Sequence, residues 1–420
     1  MTLKITGGMI ANPAGEKKGR MDILIKDGRI AAIGENVGDA DNVIDASGKT
    51  VFPGFIDMHC HLREPGQEYK EDIASGAKAA AKGGFTAICC MANTMPPVDN
   101  ASVCALVLAK ARQAAVKVYP VGAVTRGLEG KELTEMAELA DMGCVAFSDD
   151  GRPIMDGSIM RAAMQYAASF DRIILAHEEA LDLKGKGVMN EGYNSTILGL
   201  PGISRSAEET MIARDIILAE TDNLRVHIQH VSTCAGIELI RAAKSRGVRV
   251  TCETAPHYFS ADDSYCMSYD ARTKVNPPLR TADDVAAVKE GLMDGTIDCI
   301  ATDHAPHHRD EKNIEFTLAA FGISGFETAF SLTVTHLTDD ADKLALLMSA
   351  RPASILSLTG GLIEEGGPAD ITIADLEAEY TLKEVDIVSR GKNSPFIGQT
   401  LRGVVTHTIV DGKIAFGGKA

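Results

Sequence analysis

Glu71-Asp72-Ile73-Ala74-Ser75-Gly76-Ala77-Lys78-Ala79-Ala80-Ala81-Lys82-Gly83-Gly84-Phe85-Thr86-Ala87-Ile88-Cys89-Cys90-Met91 runs without a break from an Ala-rich helical stretch into an apolar strand. Ala, Lys and Glu favour a helix, and the paired glycines can take the left-handed conformation that ends one. Outward from this unit, short apolar strands alternate with helical segments, the pattern of a parallel sheet. The spacing predicts strands at Phe55 to Leu62, Phe85 to Met91, Val116 to Val121, Cys144 to Phe147, Ile173 to His177, Leu224 to His230, Val248 to Glu253 and Ile297 to Thr302. Eight such repeats over residues 53–358 predict an α/β fold, a (β/α)8 TIM barrel, whose usual length is about 250 residues. No GxGxxG follows the first strand to favour an open doubly wound sheet.

Both ends of the chain read differently. Met21 to Ile25 and Arg29 to Ile33 are β-type runs joined by Asp27-Gly28, and Asp411-Gly412 turns the chain into Lys413 to Phe416 in the same way. Asp370 to Ala374 and Thr406 to Val410 are further alternating apolar runs. Residues 1–52 and 359–420 are therefore expected to form one small β-sandwich domain, leaving 53–358 as the catalytic barrel.

At 420 residues the chain exceeds one compact core of ordinary size, and 45% hydrophobic with 24% charged residues are globular proportions. No apolar run approaches the roughly 18–20 residues that span a bilayer, and Met1 to Ile10 lacks a basic segment followed by an apolar one. A cytoplasmic location with no membrane partner is expected. Nine cysteines without CxxC spacing read as buried reduced thiols. Lys plus Arg is 42 against 58 for Asp plus Glu, a net charge of −16. That excludes nucleic acid, whose phosphates need a basic surface, and an anionic small molecule would need a local cluster of cations.

The strongest chemical signal is His59-Cys60-His61 at the end of the first predicted barrel strand. Strand side chains alternate, so the two imidazoles share one side and suit a divalent metal. Asp149 and Asp150 after strand four, His177 after strand five, His230 after strand six and Asp303 after strand eight fall at the same end, where barrels of this kind keep their sites. His227, His336 and His407 read as structural, His227 by its place on the opposite strand face from His230. Four histidines with carboxylates exceed one tetrahedral zinc, so two ions are expected, about 3.5–4 Å apart and bridged by a water acidified toward neutrality. Asp303 could take the proton of that water and pass it to a leaving nitrogen as the catalytic acid/base.

Pro53-Gly54-Phe55-Ile56-Asp57-Met58-His59-Cys60-His61-Leu62-Arg63-Glu64-Pro65-Gly66 resembles the signature of bacterial type I dihydroorotases, within the amidohydrolase superfamily. Asn93-Thr94, Phe147 to Gly151, Ala176-His177-Glu178, Lys274 to Arg280, Ala301 to His307 and Phe321 to Gly325 extend the likeness over nearly the whole chain. The resemblance implies that His59 and His61 bind one zinc, His177 and His230 the other, that Asp150 bridges them, and that Asp303 completes the site. It implies reversible cyclisation of N-carbamoyl-L-aspartate to L-dihydroorotate in pyrimidine biosynthesis, with Arg63, Asn93, Asn276 and His307 reaching the ligand. An Arg can grip a carboxylate through two parallel hydrogen bonds. Two positions depart from the pattern: Ala92 stands where proline is frequent, and Glu178 where cysteine is.

Allantoinases and hydantoinases share the barrel and the HxH but commonly bridge their metals with a carbamylated lysine after strand four; here Ser148 and two aspartates stand near that place. A metal-free subunit that scaffolds aspartate transcarbamoylase could dispense with the ligands, whereas this chain retains all six. Aspartate transcarbamoylase and a second copy of the chain remain the protein partners to consider. The charged run from His307 to Asn313 is expected to be either a mobile cover over the substrate or an ordinary solvated loop.

Overall fold

The computed structural model describes residues 2–418; Met1, Lys419 and Ala420, the outermost residues of the expected composite end domain, lie outside them. Eight parallel strands follow one another around a barrel: β1 (Phe55–Cys60), β2 (Phe85–Cys90), β3 (Lys117–Gly122), β4 (Ala146–Phe147), β5 (Ile174–Ala176), β6 (Val226–Ile228), β7 (Val250–Thr254) and β8 (Cys299–Ile300). Past β8 the chain meets β1 through the parallel bridge of Cys60 with His304, where His61 N donates to His304 O at 2.9 Å. The expected (β/α)8 barrel is thus present.

The helix-to-strand unit around Gly83-Gly84 shows the local cause. Asp72 caps the helix Ile73–Lys82 by accepting from Ser75 N at 2.7 Å, and Ile73, Ala77 and Ala79 to Ala81 bury one side of it. Gly84 takes φ +92°, and a Cβ there would meet the Phe55 ring at 2.8 Å, so chain direction and close approach both require glycine.

Several strands stop short of their predicted ends, and the stops fall beside the site. Arg63, His230 and Asp303 have φ of 63°, 33° and 44°, a left-handed conformation rare outside glycine. Such a kink breaks the two-residue alternation of a strand. His227 and His230, expected on opposite faces, are both buried on the side of His59: the His230 ring lies 5.3 Å from the His59 ring, and His227 reaches His59 through Glu253.

Two further sheets are built from the chain ends. One orders its strands Lys413–Phe416, Thr400–Val410, Ile371–Thr381, Thr50–Pro53, Met9–Ile10 and Gly19–Arg20; the other Arg29–Gly34, Asp22–Lys26, Thr2–Thr6 and Asn42–Asp45. Their inner faces share a core of Leu3, Ile5, Ile23, Ile25, Ile371, Ile373 and Ile409, giving the expected β-sandwich. The hairpin turns Asp27-Gly28 and Asp411-Gly412 have positive φ at both positions and lie against each other, a Cβ on Gly412 meeting Gly28 Cα at 3.1 Å.

Candidate metal centre

The carboxyl ends of the barrel strands bring His59, His61, Asp150, His177, His230 and Asp303 into one buried cluster. Asp150 stands at its middle. Its Oδ2 lies 3.4 Å from His61 Nε2, while Oδ1 lies 3.4 Å from His59 Nε2, 3.2 Å from His177 Nδ1 and 3.7 Å from His230 Nε2. Asp303 Oδ1 closes the other side at 3.2 Å from His61 Nε2 and 3.6 Å from His59 Nε2. Two triads suited to a metal result, His59-His61-Asp150 and Asp150-His177-His230, with Asp150 common to both.

The donor set fits divalent ions. Zinc ligands sit about 2.0–2.1 Å from the ion, which places tetrahedral donor atoms roughly 3.3 Å apart. The separations around Asp150, 3.2 to 3.7 Å, are of that size. His59 Nε2 is buried with no hydrogen-bond partner, and His177 Nδ1 and His230 Nε2 face each other at 2.9 Å. Burial alone would raise the Asp150 carboxyl, but the attraction of the surrounding His59, His177 and His230 imidazoles holds it well below the usual carboxylate range. Burial likewise opposes ionisation of Asp303, and the attraction of the neighbouring His61 and His59 again prevails. The two buried carboxylates call for positive charge, which divalent ions supply.

The other ring nitrogens of His59 and His61 are held by further side chains. His59 Nδ1 lies 2.7 Å from Glu253 Oε1 and His61 Nδ1 2.9 Å from Asn93 Oδ1, whereas His177 Nε2, 3.7 Å from Glu179 Oε2, has no hydrogen-bond partner. Burial pushes Glu253 up, but hydrogen bonds from His227 and His59 bring it down to about 2. Asn93, expected at the substrate, thus sits against the ligands; its Nδ2 also donates to Asp150 O and Oδ2, each at 3.2 Å. Asp149 faces away, accepting from Val124 N at 2.8 Å and Thr125 N at 3.0 Å.

Arg63 is 9% exposed at the rim, its Nε donating to Pro306 O and its Nη2 lying 3.3 Å from His307 Nε2. Asn276 Oδ1 is buried without a partner. In the run expected as a cover or a solvated loop, Arg309–Lys312 is a helical turn, and Lys312 Nζ is buried on Ala271 O, Lys274 O and Ala320 O.

Sequence reasoning missed Glu253 and His257. Glu253 closes the predicted strand Val248 to Glu253, and a carboxylate at that end of a barrel strand is itself the signal. His257 is buried with Nε2 unpartnered, and burial pulls it down to about 4 against the attraction of Asp303. Its position just past β7 repeats the placement of the other histidines. Glu178, the departure noted above, buries both carboxylate oxygens without a hydrogen-bond partner, and desolvation with the nearby charge of Asp215 pushes it well up.

A family model described as Dihydro-orotase-like matches residues 48–235. The chain is 52% identical to the dihydroorotase of Syntrophotalea carbinolica, over 99% of both chains, and 51% identical to that of Acetivibrio thermocellus, over 98% of both. Among solved structures it resembles the L-hydantoinase (dihydropyrimidinase) of Arthrobacter aurescens, with a TM-score of 0.88 at 26% identity, covering 100% of this chain and 97% of the other. No helix among the described residues is long and apolar enough to cross a membrane. Half-identity sustained from end to end, on a barrel whose strand ends converge on shared Asp150, has one reading: the chain belongs to the dihydroorotase family, among the cyclic amidohydrolases.

Proposed function

We propose that this enzyme interconverts N-carbamoyl-L-aspartate and L-dihydroorotate at the Asp150 cluster, a step of pyrimidine biosynthesis. The observation that carries the reading is Asp150 shared by two histidine pairs with Asp303 alongside, in a chain whose full-length relatives are named dihydroorotases. His59, His61, His177, His230, Asp150 and Asp303 would hold two zinc ions, whose chemistry is Lewis acidity and a water acidified toward neutral pH. Asp303 carries the proton. In ring opening its carboxylate takes one from the attacking water and delivers it to the ring nitrogen as the C–N bond breaks; in closure the same proton travels the other way. Arg63 grips the substrate carboxylate, and Asn276 presents its unpartnered amide oxygen to a substrate N–H. His307, its Nε2 donating to Phe321 O at 2.8 Å, stands beside Arg63 at the substrate rim, while Asn93 holds His61 and Asp150. Residues 53–358 form the catalytic unit, with the ends as a composite domain beside it.

A hydantoinase is the competing reading, favoured by the likeness to the Arthrobacter enzyme. Purified protein supplied with zinc is expected to form dihydroorotate from carbamoyl aspartate and to open it again. No turnover of either, alongside clear hydrolysis of hydantoin or allantoin, overturns the proposal.

A further inference from the structure

Barrels of this class normally fill their interior with layers of bulky branched side chains. Beneath the His59 end of this barrel the axis instead carries a file of polar groups. Glu253 and His227 are 1% and 0% exposed. Glu253 Oε1 lies 2.7 Å from His59 Nδ1 and Oε2 lies 3.2 Å from His227 Nε2, while His227 Nδ1 lies 2.9 Å from Thr251 Oγ1. Strand geometry produces the file: Thr251 and Glu253 are two apart on β7 and so share a face, and His227 pairs with Thr251 across β6 and β7.

With Gln229, whose side-chain amide also lies 3.1 Å from His59 Nδ1, turning its oxygen toward that nitrogen, the file has one consistent pattern of hydrogen bonds. An ionised carboxylate only accepts, so both imidazole nitrogens facing Glu253 carry protons. His59 is then the Nδ1–H tautomer with Nε2 bare, and Nε2 is the buried atom left without a hydrogen-bond partner beside Asp150. His227 is the Nε2–H tautomer, and its bare Nδ1 accepts from the Thr251 hydroxyl. Cys299 lies close enough to complete a trio of donors with His227 and Glu253, but its Sγ rests 3.7 Å from Met58 Sδ and both Glu253 oxygens are already engaged. The trio therefore works as a strut and not as a further ion site.

We propose that Glu253, itself held by His227, is a positioning residue that fixes the tautomer and ring orientation of His59 so that Nε2 faces the metal. The proposal rests on the metal-centre reading above. His227 accordingly has a task beyond filling the core.

The test is Co²⁺ titration of the chelator-stripped full chain, followed by visible absorption, with Zn²⁺ stoichiometry and thermal melts in parallel. Glu253→Gln keeps shape but loses charge; it is expected to weaken Co²⁺ binding about 10- to 100-fold and to shift the visible bands. His227→Leu, which leaves one Glu253 oxygen without a partner, is expected to lose less in the same direction. His227→Gln, whose amide N–H can still reach Glu253, is expected to restore affinity and spectrum. Wild-type affinity and spectrum in Glu253→Gln, with only its melting temperature lowered, would overturn the proposal and leave the metal reading intact. If the wild type binds no Co²⁺ or Zn²⁺, the metal reading fails and takes this one with it. Should Glu253→Gln not fold, the two His227 variants decide: equal affinities overturn the proposal.

Discussion

Asp149 and Asp150 are neighbours in the chain, yet their carboxylates face opposite sides of the loop after β4, Asp149 toward the backbone of Val124 and Thr125 and Asp150 toward His59, His61, His177 and His230. The two positions should therefore fail differently. Asp150→Asn removes the charge common to both triads and is expected to lower metal affinity at least about 100-fold with little change in melting temperature of the metal-free protein. Asp149→Asn is expected to keep its metal but to lose about 1.5–3 kcal/mol of stability for each charged hydrogen bond that is broken. Metal analysis and thermal melts of both variants check the split, and a metal-free Asp149→Asn protein would contradict it.

Asp303 touches His61 and His59 but lies outside the two triads centred on Asp150. Asp303→Asn retains an oxygen ligand and loses the group that carries a proton. Turnover is expected to fall about 10²- to 10⁴-fold in both directions, with most of the metal still bound. Wild-type-like rates in a metal-replete Asp303→Asn protein would remove this residue from proton transfer.

Much of this arrangement was legible in the chain, for a physical reason. Strand ends in a barrel face one mouth, so histidines and carboxylates just past apolar runs converge without any long-range information. Asp27-Gly28 and Asp411-Gly412 were readable because their turn needs positive φ twice. Side-chain direction beyond the last paired residue was not readable. The kink at His230 overrides alternation and leaves His227 and His230 both on the side of His59, and the choice between Asp149 and Asp150 depends on which backbone amides the loop presents. Glu253 escaped notice because its partners, His59 and His227, lie 194 and 26 residues away in sequence.

Arg63 reaches the rim of the cluster with Nη2 at 3.3 Å from His307 Nε2. A lysine there keeps the charge but loses the planar fork that matches a carboxylate. Arg63→Lys is expected to raise KM about 10-fold or more with a smaller effect on kcat, because the carboxylate is bound similarly before and during the reaction. Steady-state kinetics with carbamoyl aspartate and with dihydroorotate check this. An unchanged KM in both directions would place the substrate carboxylate elsewhere.

Lys312 ties the segment after His307 to the loop that carries Asn276, donating to Ala271 O at 2.8 Å, Lys274 O at 3.0 Å and Ala320 O at 2.7 Å. Burial, reinforced by the charge of Lys274, pulls its pKa from 10.5 down to about 7, against the attraction of Asp270 and Glu311. Between those two values the unfolded chain binds the proton that the folded chain has shed, so this group makes stability rise with pH across that window. Below the folded value both states are protonated and its contribution to the slope vanishes. Lys274, drawn down to about 8 mainly by burial, acts in the same sense and remains in a Lys312 variant. Lys312→Met removes one titration while filling the same space with an apolar chain. The melting temperature of the wild type minus that of Lys312→Met is therefore expected to increase from near neutral pH to about one unit below the unstructured lysine value. A difference that stays flat or falls over that range would mean that the three carbonyls keep the ammonium charged inside the fold.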